Sequence, residues 1–321
     1  YNTLLKTNTN SSYTPKGLLQ QGLIYFNRSD FKNSLASYKT VVEKYPNTEE
    51  SKAALVGIKN NYVEMNDVDG YFAYTKTLGG AIVVTTNQQD SLFYMTAEKN
   101  YMSGDKNAST QFQEYLKRFP EGSFRTNATF YLGESLYASG KYSESLKYYE
   151  EVALKSDNIF TEQSLIKSGE LTFNAGKYDL ALGYFQRLEV IANTQWNTLR
   201  ARAGIMRCFD KLQQHANTVA AAQKLLGTEK ITDVMTREAN HKMAKAYYNL
   251  GKKAEALPLL TTLATDIKSV EGAEAKYLLT QMLFADKKYD QCEKEIMDFI
   301  QQSTPHQYWL AKSFILLSDV Y

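Results

Sequence analysis

The feature that most constrains the fold of this chain is a pattern of small and aromatic residues that occurs twice, 36 positions apart. The stretch GESLYASGKYSESLKYYEEV, residues 133–152, is followed by GELTFNAGKYDLALGYFQRL, residues 169–188. Two glycines and two aromatic positions of the first stretch recur in the second. A fixed interval of this size indicates that the chain is built from copies of one supersecondary unit.

A series of aromatic residues, here called the aromatic column, carries the interval along the whole chain in steps of 36 to 39 residues. Its members are Phe26, Tyr62, Tyr101, Tyr137, Phe173, Phe209, Tyr248, Phe284 and Tyr321. A small residue lies upstream of most members, as Gly133 does before Tyr137, and a break such as SGKYSES follows several of them. Because these features recur together, coincidence is excluded.

Each copy is predicted to be a helix A, a tight turn, a helix B and a short link. Helix B carries a small residue and, four positions on, an aromatic residue or leucine, as in Ser145 with Tyr149. Pro46, Pro120 and Pro305 are expected to close three B helices, because proline lacks the amide donor. One helix pair cannot bury its apolar face alone, so neighbouring pairs must stack.

These features predict an all-α fold, a right-handed superhelical solenoid of about eight helix pairs plus one extra helix. Residues 1–14 are expected to be a polar leader or linker, with Thr14 capping the first helix and Pro15 at its first position. Residues 15–321 form a single array. The units are placed near 15–47, 48–80, 91–121, 122–157, 158–194, 195–228, 231–269 and 271–304, with a partial unit at 305–321. Because FILLSDVY ends the chain on an apolar face, we expect the array to continue or to pack against another molecule.

Three stretches depart from the pattern. The second and sixth units lack a good glycine turn, at EMNDVDGYFAY and DKLQQHANTV. The insert LGGAIVVTTNQQD, residues 78–90, has β-branched residues and no helical period, which predicts an extended loop or a brief strand. Pro258, inside AEALPLL, is expected to delay or kink its B helix.

Composition argues against several classes of function. The formal net charge of +2, from 37 basic and 35 acidic residues, does not suit a nucleic-acid partner. The sequence has no run of 18 or more apolar residues, so we expect no membrane insertion of this segment. Cys208 and Cys292 are too far apart for a CxxC motif and are predicted to be small buried residues. The three histidines fall in different units without zinc-ligand spacing, and no phosphate-binding glycine loop is present. We therefore expect no catalysis, no cofactor and no metal.

The repeat resembles the tetratricopeptide repeat, a helix–turn–helix of about 34 residues, over essentially all of residues 15–321. Within it, STQFQEYLKRFPEGSFRTNATFYLGESLYASGKYSESLKYYEEV is similar to repeats of outer-membrane assembly lipoproteins and TolA-binding proteins. DSLFYMTAEKNYMSGD and YWLAKSFILLSDVY are similar to long tetratricopeptide proteins of Bacteroidetes. The resemblance implies a non-catalytic scaffold in cell-envelope organisation or assembly, located in the periplasm or associated with the outer membrane.

The resemblance also implies where a partner binds, namely a groove lined by the A helices that holds a peptide or a helix of another protein. The predicted partner-binding residues are Tyr101, Phe130, Tyr131, Glu134, Tyr137, Glu170, Phe173, Phe209, His241, Lys245 and Tyr248. The aromatic members have two interpretations, packing between helices or anchoring of a bound chain. The lysine and asparagine clamp of chaperone-adaptor repeats is absent, because Leu19, Leu23, Phe130, Glu134, Ile166 and Glu170 hold the corresponding positions.

Two other functions are compatible with these repeats. One is a surface glycan-binding accessory protein, which would need long insertions bearing exposed tryptophan, whereas Trp196 and Trp309 lie in predicted A helices. The other is a regulatory repeat region of a longer multidomain protein. The sequence leaves the partner's identity and the oligomeric state open.

Overall fold

The computed structural model describes residues 11–79, 84–155 and 157–321, and over these residues the chain is helical without a β-strand. The helices are α1 (Thr14–Asn27), α2 (Phe31–Lys44), α3 (Glu49–Glu64), α4 (Val68–Thr77), α5 (Thr86–Met102), α6 (Ala108–Arg118), α7 (Arg125–Ala138), α8 (Tyr142–Leu154), α9 (Thr161–Asn174), α10 (Tyr178–Ile191), α11 (Gln195–Lys211), α12 (His215–Leu226), α13 (Asp233–Asn249), α14 (Lys253–Leu263), α15 (Val270–Ala285), α16 (Tyr289–Gln301) and α17 (Gln307–Val320). Odd-numbered helices are A helices and even-numbered ones are B helices. The predicted all-α class, with eight helix pairs and one extra helix, is confirmed.

The chain divides into two compact units, Tyr1–Lys141 and Tyr142–Tyr321. In the first unit each helix from α1 to α7 packs against the next, and α1 also contacts α3 while α5 contacts α7. In the second unit consecutive helices from α8 to α17 pack in the same way, and each A helix from α9 onward contacts the next A helix. The division falls inside the predicted unit 122–157, so a single continuous array over 15–321 stays a prediction.

The eight turns between helices A and B share one backbone feature, a single residue in the left-handed region. Its φ lies between 56° and 76°. The residues are Ser29, Asn66, Gly104, Gly140, Gly176, Gln213, Gly251 and Lys287. The next amide then reaches back to helix A, as the Lys177 N–H does to the carbonyl of Thr172 at 2.9 Å, which satisfies a helix-terminal carbonyl. The second and sixth units therefore make the same turn without glycine.

This turn residue gives a register that does not depend on the aromatic column. Six members of the column lie three residues before it, but Tyr62 and Phe209 lie four residues before Asn66 and Gln213. The column is therefore not one structural position along the chain, which corrects the sequence interpretation. In the sixth unit Asp210 holds the position that is aromatic in the neighbouring units.

The small residues of the A helices make room for a ring from helix B. A Cβ on Gly22 or Gly57 would lie 2.6 Å from ring atoms of Tyr38, so this α2 side chain fits only between two glycines. Phe185 of α10 lies in the same way between Gly169 and Gly204. A Cβ on either glycine would lie 2.8 or 2.5 Å, respectively, from the Phe185 ring. These contacts show why small residues and rings recur together: α2 and α10 each insert a ring between glycines of the two neighbouring A helices.

Several boundaries differ from the prediction. Tyr13, not Thr14, is the N-cap of α1, since Thr14 and Pro15 already belong to the helix. Residues 86–90, expected in the insert, instead form the start of α5. Thr85 and Gln88 cap this helix with a capping box. Residues 80–83 of the predicted loop or strand lie outside the described residues.

Proline has the expected effect at the ends of two B helices, whereas α16 ends at Gln301, four residues before Pro305, and Pro258 lies inside a helix. The helices α2 and α6 each end two residues before a proline, at Lys44 and Arg118. The helix α14 begins at Lys253 and continues through Pro258, so the predicted delay is wrong. Because Pro258 is the sixth residue of that helix, its missing N–H removes only one bond near the N-terminus.

Candidate functional site

In the first unit, the predicted partner-binding residues lie on α5 and α7 and form an aromatic surface. The rings of Tyr101 and Tyr131 are 5.0 Å apart, and Phe112 of α6 stacks on Tyr131 at 6.0 Å. Burial raises the pKa of Tyr101, and the neighbouring Glu134 carboxylate raises it further. Tyr101, Tyr131, Glu134 and Tyr137 are half-buried and so offer surface to a partner.

Phe130 differs from its neighbours in this surface. Its side chain is only 8% exposed, and its ring meets Tyr131 edge-on at 5.6 Å. Phe130 therefore contributes mainly by fixing the orientation of Tyr131, and little of it remains for contact with a partner.

In the second unit, a ladder of ion pairs joins successive A helices. Its three links are Glu170 with Arg200 at 2.5 Å, Arg207 with Glu238 at 2.6 Å, and Lys245 with Glu274 at 2.6 Å. Each link joins the residue six positions before the turn residue of one A helix to the residue thirteen positions before the turn residue of the next. The repeat thus places opposite charges face to face at fixed offsets, and two predicted site residues, Glu170 and Lys245, belong to this ladder.

The last link of the ladder has a third member. His241 Nε2 lies 2.9 Å from the Glu274 carboxylate, and both side chains are less than a tenth exposed. Burial alone would raise the pKa of Glu274, but His241 and Lys245 outweigh it and lower that pKa to about 2. Glu274 is therefore a buried carboxylate held ionised by two basic neighbours, and His241 is a structural partner with little surface of its own.

The aromatic site residues of the second unit divide into two groups. Phe173 and Tyr248 are half-buried, and the Tyr248 hydroxyl donates to the Gln281 side chain at 3.2 Å. Phe209, one position out of register, instead lines a cleft of about 250 Å³ between α10 and α12. At the position expected for Phe209, Asp210 accepts a hydrogen bond from Lys242 at 2.6 Å.

The ladder partners Arg200, Arg207, Glu238 and Glu274 were not among the predicted site residues. Their signal in the sequence is a pair of opposite charges about one repeat apart, which becomes visible only when the turn residues set the register. A second unpredicted feature holds the link after α6 in the first unit: the Tyr115 hydroxyl donates to buried Asp90, which also accepts the Ser123 N–H at 2.7 Å.

Neither a metal site nor a membrane span is found in the described parts of the chain. Over residues 11–79, 84–155 and 157–321, His, Cys, Asp and Glu side chains do not gather in groups of three or more that could ligate a metal. Within the same ranges, the helices lack the length and apolar character needed to cross a bilayer.

Comparison with known families identifies the repeat. One tetratricopeptide repeat model matches residues 16–48 and 238–266, and a second matches residues 106–159. The chain therefore contains tetratricopeptide repeats in both of its compact units. Repeats of this class typically mediate contacts between proteins and are typically non-catalytic. Among curated proteins, no sequence matches the chain.

Several solved structures are similar to the chain at low sequence identity. MamA from residue 41 onward, from Desulfovibrio magneticus RS-1, is 14% identical, covering 56% of this chain and 94% of its own, with a TM-score of 0.41. A tetratricopeptide repeat protein of Parabacteroides merdae is 13% identical over 94% of this chain and 98% of its own, with a TM-score of 0.35. The apo form of RapI is 12% identical over 95% of this chain and 97% of its own, with a TM-score of 0.46.

Proposed function

We propose that this protein is a non-catalytic scaffold that binds a peptide or a helix of a partner protein on the surface of its A helices. The observation that carries the proposal is the half-burial of Tyr101, Tyr137, Phe173 and Tyr248 at one position of the repeat. Each ring is held by the array and still leaves part of its area exposed. Rings fixed in this way offer a large contact area at a low entropy cost.

The charge ladder supports the same proposal for the second unit. Because each link joins two A helices, the backbone and the exposed rings between them are held in place before a partner arrives. A preorganised surface loses less conformational entropy on binding than a flexible one. The ladder charges neutralise each other, so we expect ring contacts rather than net charge to select the partner here.

The test compares two aromatic substitutions on the A face with one on a B helix. We expect a partner captured by the full chain, identified by mass spectrometry, to be lost from the Tyr137→Ala/Phe173→Ala variant. The control Tyr289→Ala removes a ring that is 42% exposed, from the B helix α16, and should retain the partner. Retention of the partner by the double variant would contradict the proposal, and so would equal loss in the control.

Thermal unfolding of the same variants separates binding from packing. A modest decrease in the midpoint of the A-face variant, close to that of Tyr289→Ala, is expected, since the three rings are all partly exposed. A much larger loss of stability would show that Tyr137 and Phe173 serve mainly to hold the helices together.

We further propose that the scaffold acts in the cell envelope, in the periplasm or at the outer membrane. Support comes from the stretch RFPEGSFRTNATFYLG, residues 118–133, which is similar to repeats of envelope assembly proteins. Fractionation of cells that express the tagged full-length protein tests this location. Recovery in the periplasmic or outer-membrane fraction is expected, and recovery in the cytoplasm would contradict it.

A further inference from the structure

We propose a second docking site, on the B-helix face of the second unit, that takes an acidic segment of a partner protein carrying leucine-sized side chains. The site is a cleft between the B helices α14 and α16, with the A helix α15 as its floor. It is separate from the A-face surface described above, so the two can be tested independently.

The cleft combines an apolar floor with an exposed apolar wall. Its volume is about 740 Å³, and Leu279, Met282 and Leu283 of α15 line it from below. Leu257 of α14 forms part of the wall and is 49% exposed. Ligand-binding pockets are typically concave sites of about 300–1,000 Å³, and this cleft falls within that range.

The same chain contains a closed version of this cleft, between α10 and α12 with α11 as its floor. That cleft measures only about 250 Å³. Glu189 of α10 reaches across it, to Arg202 of α11 at 2.7 Å and to Lys224 of α12 at 2.8 Å. In this closed cleft one acidic side chain of α10 contacts both the floor helix α11 and the opposite B helix α12. The equivalent positions of the two repeats can therefore be compared directly.

In the open cleft the bridging carboxylate is missing. Thirteen residues after the turn residue, where α10 carries Glu189, the later repeat has Ala264. Lys276 replaces Arg202 and pairs instead with Glu295 and Asp298 of the α16 side, at 2.5 and 2.7 Å. Within the described residues, no ion pair joins α14 to α16 themselves, although Lys253 of α14 pairs with Asp286 in the turn before α16. The space that Glu189 fills in the earlier repeat stays open.

The charge of the open cleft defines the chemistry of its occupant. Four lysines line it against one aspartate and one glutamate, which gives a surplus of positive charge. Lys288 and Lys294 are exposed and have no ion-pair partner among the described residues. A carboxylate-bearing segment would complement these two lysines while its apolar side chains cover Leu257 and the floor. Recognition of an amphipathic helix in such a groove is a common mode of peptide binding.

Fluorescence anisotropy with two synthetic peptides tests the site on the full chain. The probe has about 14 residues, with leucine at i, i+3, i+4 and i+7 and glutamate elsewhere, and the matched peptide has lysine in place of glutamate. We expect the acidic peptide to bind at least about tenfold more tightly than the basic one, and its affinity to fall as salt is added. Equal binding of the two peptides, or no binding of the acidic one, would overturn the proposal.

Charge reversals locate the binding. Lys288→Glu/Lys294→Glu should weaken the acidic peptide about tenfold or more, and Leu257→Ser should weaken it separately. The control Lys147→Glu/Lys177→Glu changes the net charge equally at exposed lysines outside the cleft and should stay within about twofold of the original. Equal weakening by the control would show a general charge effect and refute the site. Tyr137→Ala/Phe173→Ala should leave the affinity unchanged, and a loss there would place the peptide on the A face instead.

Discussion

Glu274 provides the sharpest test of the charge ladder, because a buried carboxylate with two basic partners should be the most costly link to remove. We predict that Glu274→Gln destabilises the second unit by about 3 kcal/mol at neutral pH, and that the difference shrinks in acid. The substitution keeps the shape of the side chain and removes the charge that His241 and Lys245 face.

The magnitude follows from the pKa of Glu274. Burial acts to raise it, but the two basic neighbours lower it from 4.5 to about 2. At about 1.4 kcal/mol for each pKa unit, this corresponds to about 3 kcal/mol of folding free energy at neutral pH. Because the folded-state pKa is below the unfolded one, the contribution is complete above the unfolded pKa and is lost as the pH falls towards the folded one. Linkage gives a loss of about 1 kcal/mol by about pH 4 and about 2 kcal/mol by about pH 3.

Urea unfolding followed by far-UV circular dichroism, at several pH values between about 7 and 3, measures this difference. Glu229→Gln serves as the control, because Glu229 is exposed and lies in a link between helices, and its effect should stay within about 0.5 kcal/mol. A loss below about 1 kcal/mol for Glu274→Gln at neutral pH would refute the argument. A difference in unfolding free energy between variant and wild type that stays constant as the pH falls would also refute it.

Three further predictions concern turns, cysteine and packing. Gly176→Ala should lower stability by about 1 kcal/mol, because the added methyl group has space but the left-handed backbone conformation is unfavourable for alanine. Lys287→Gly should raise stability by up to about 1 kcal/mol for the converse reason. Thermal unfolding midpoints of both variants test this pair of predictions. Burial raises the pKa of the Cys208 thiol to about 12, so a thiol reagent at about pH 8 should label it only after denaturant is added. Gly204→Ala would place a methyl group 2.5 Å from the Phe185 ring and should cost about 1–3 kcal/mol in chemical denaturation, and an unchanged midpoint would contradict the packing described for α10.

The helix pairs could be predicted from the sequence because their packing depends on residue types that are easy to recognise. A glycine that faces Tyr38 or Phe185 cannot be replaced without a steric clash, so the spacing of glycine and ring is fixed by contact. The insert was harder to interpret. The capping residues Thr85 and Gln88 specify the start of α5, but the β-branched residues before them dominated the local pattern.

The turns and the charge ladder could not be read from residue type alone. Asn66 and Gln213 adopt left-handed backbone angles because the packing of helices A and B fixes the turn, and tertiary contacts outweigh the cost of about 1–2 kcal/mol. When these two turn residues are not recognised in the sequence, the repeats can be aligned only by the aromatic column. That alignment places Tyr62 and Phe209 one residue away from their structural positions. A one-residue error conceals the ladder, since Arg200 and Arg207 then fall one residue away from the two ladder offsets.

The ladder also bears on how the two compact units can recognise partners. At the two ladder offsets the described part of the first unit has no pair of opposite charges, because these positions hold Leu23 and Ala53, Asn60 and Ser91, and Glu98 and Asn127. In the second unit the same offsets carry charges that are already paired with each other. A charged partner would have to compete with those pairs, which costs about as much as it gains. Selection by charge is therefore favoured where positive groups lack partners, and in the second unit that condition is met on the B face, at Lys288 beside the open cleft.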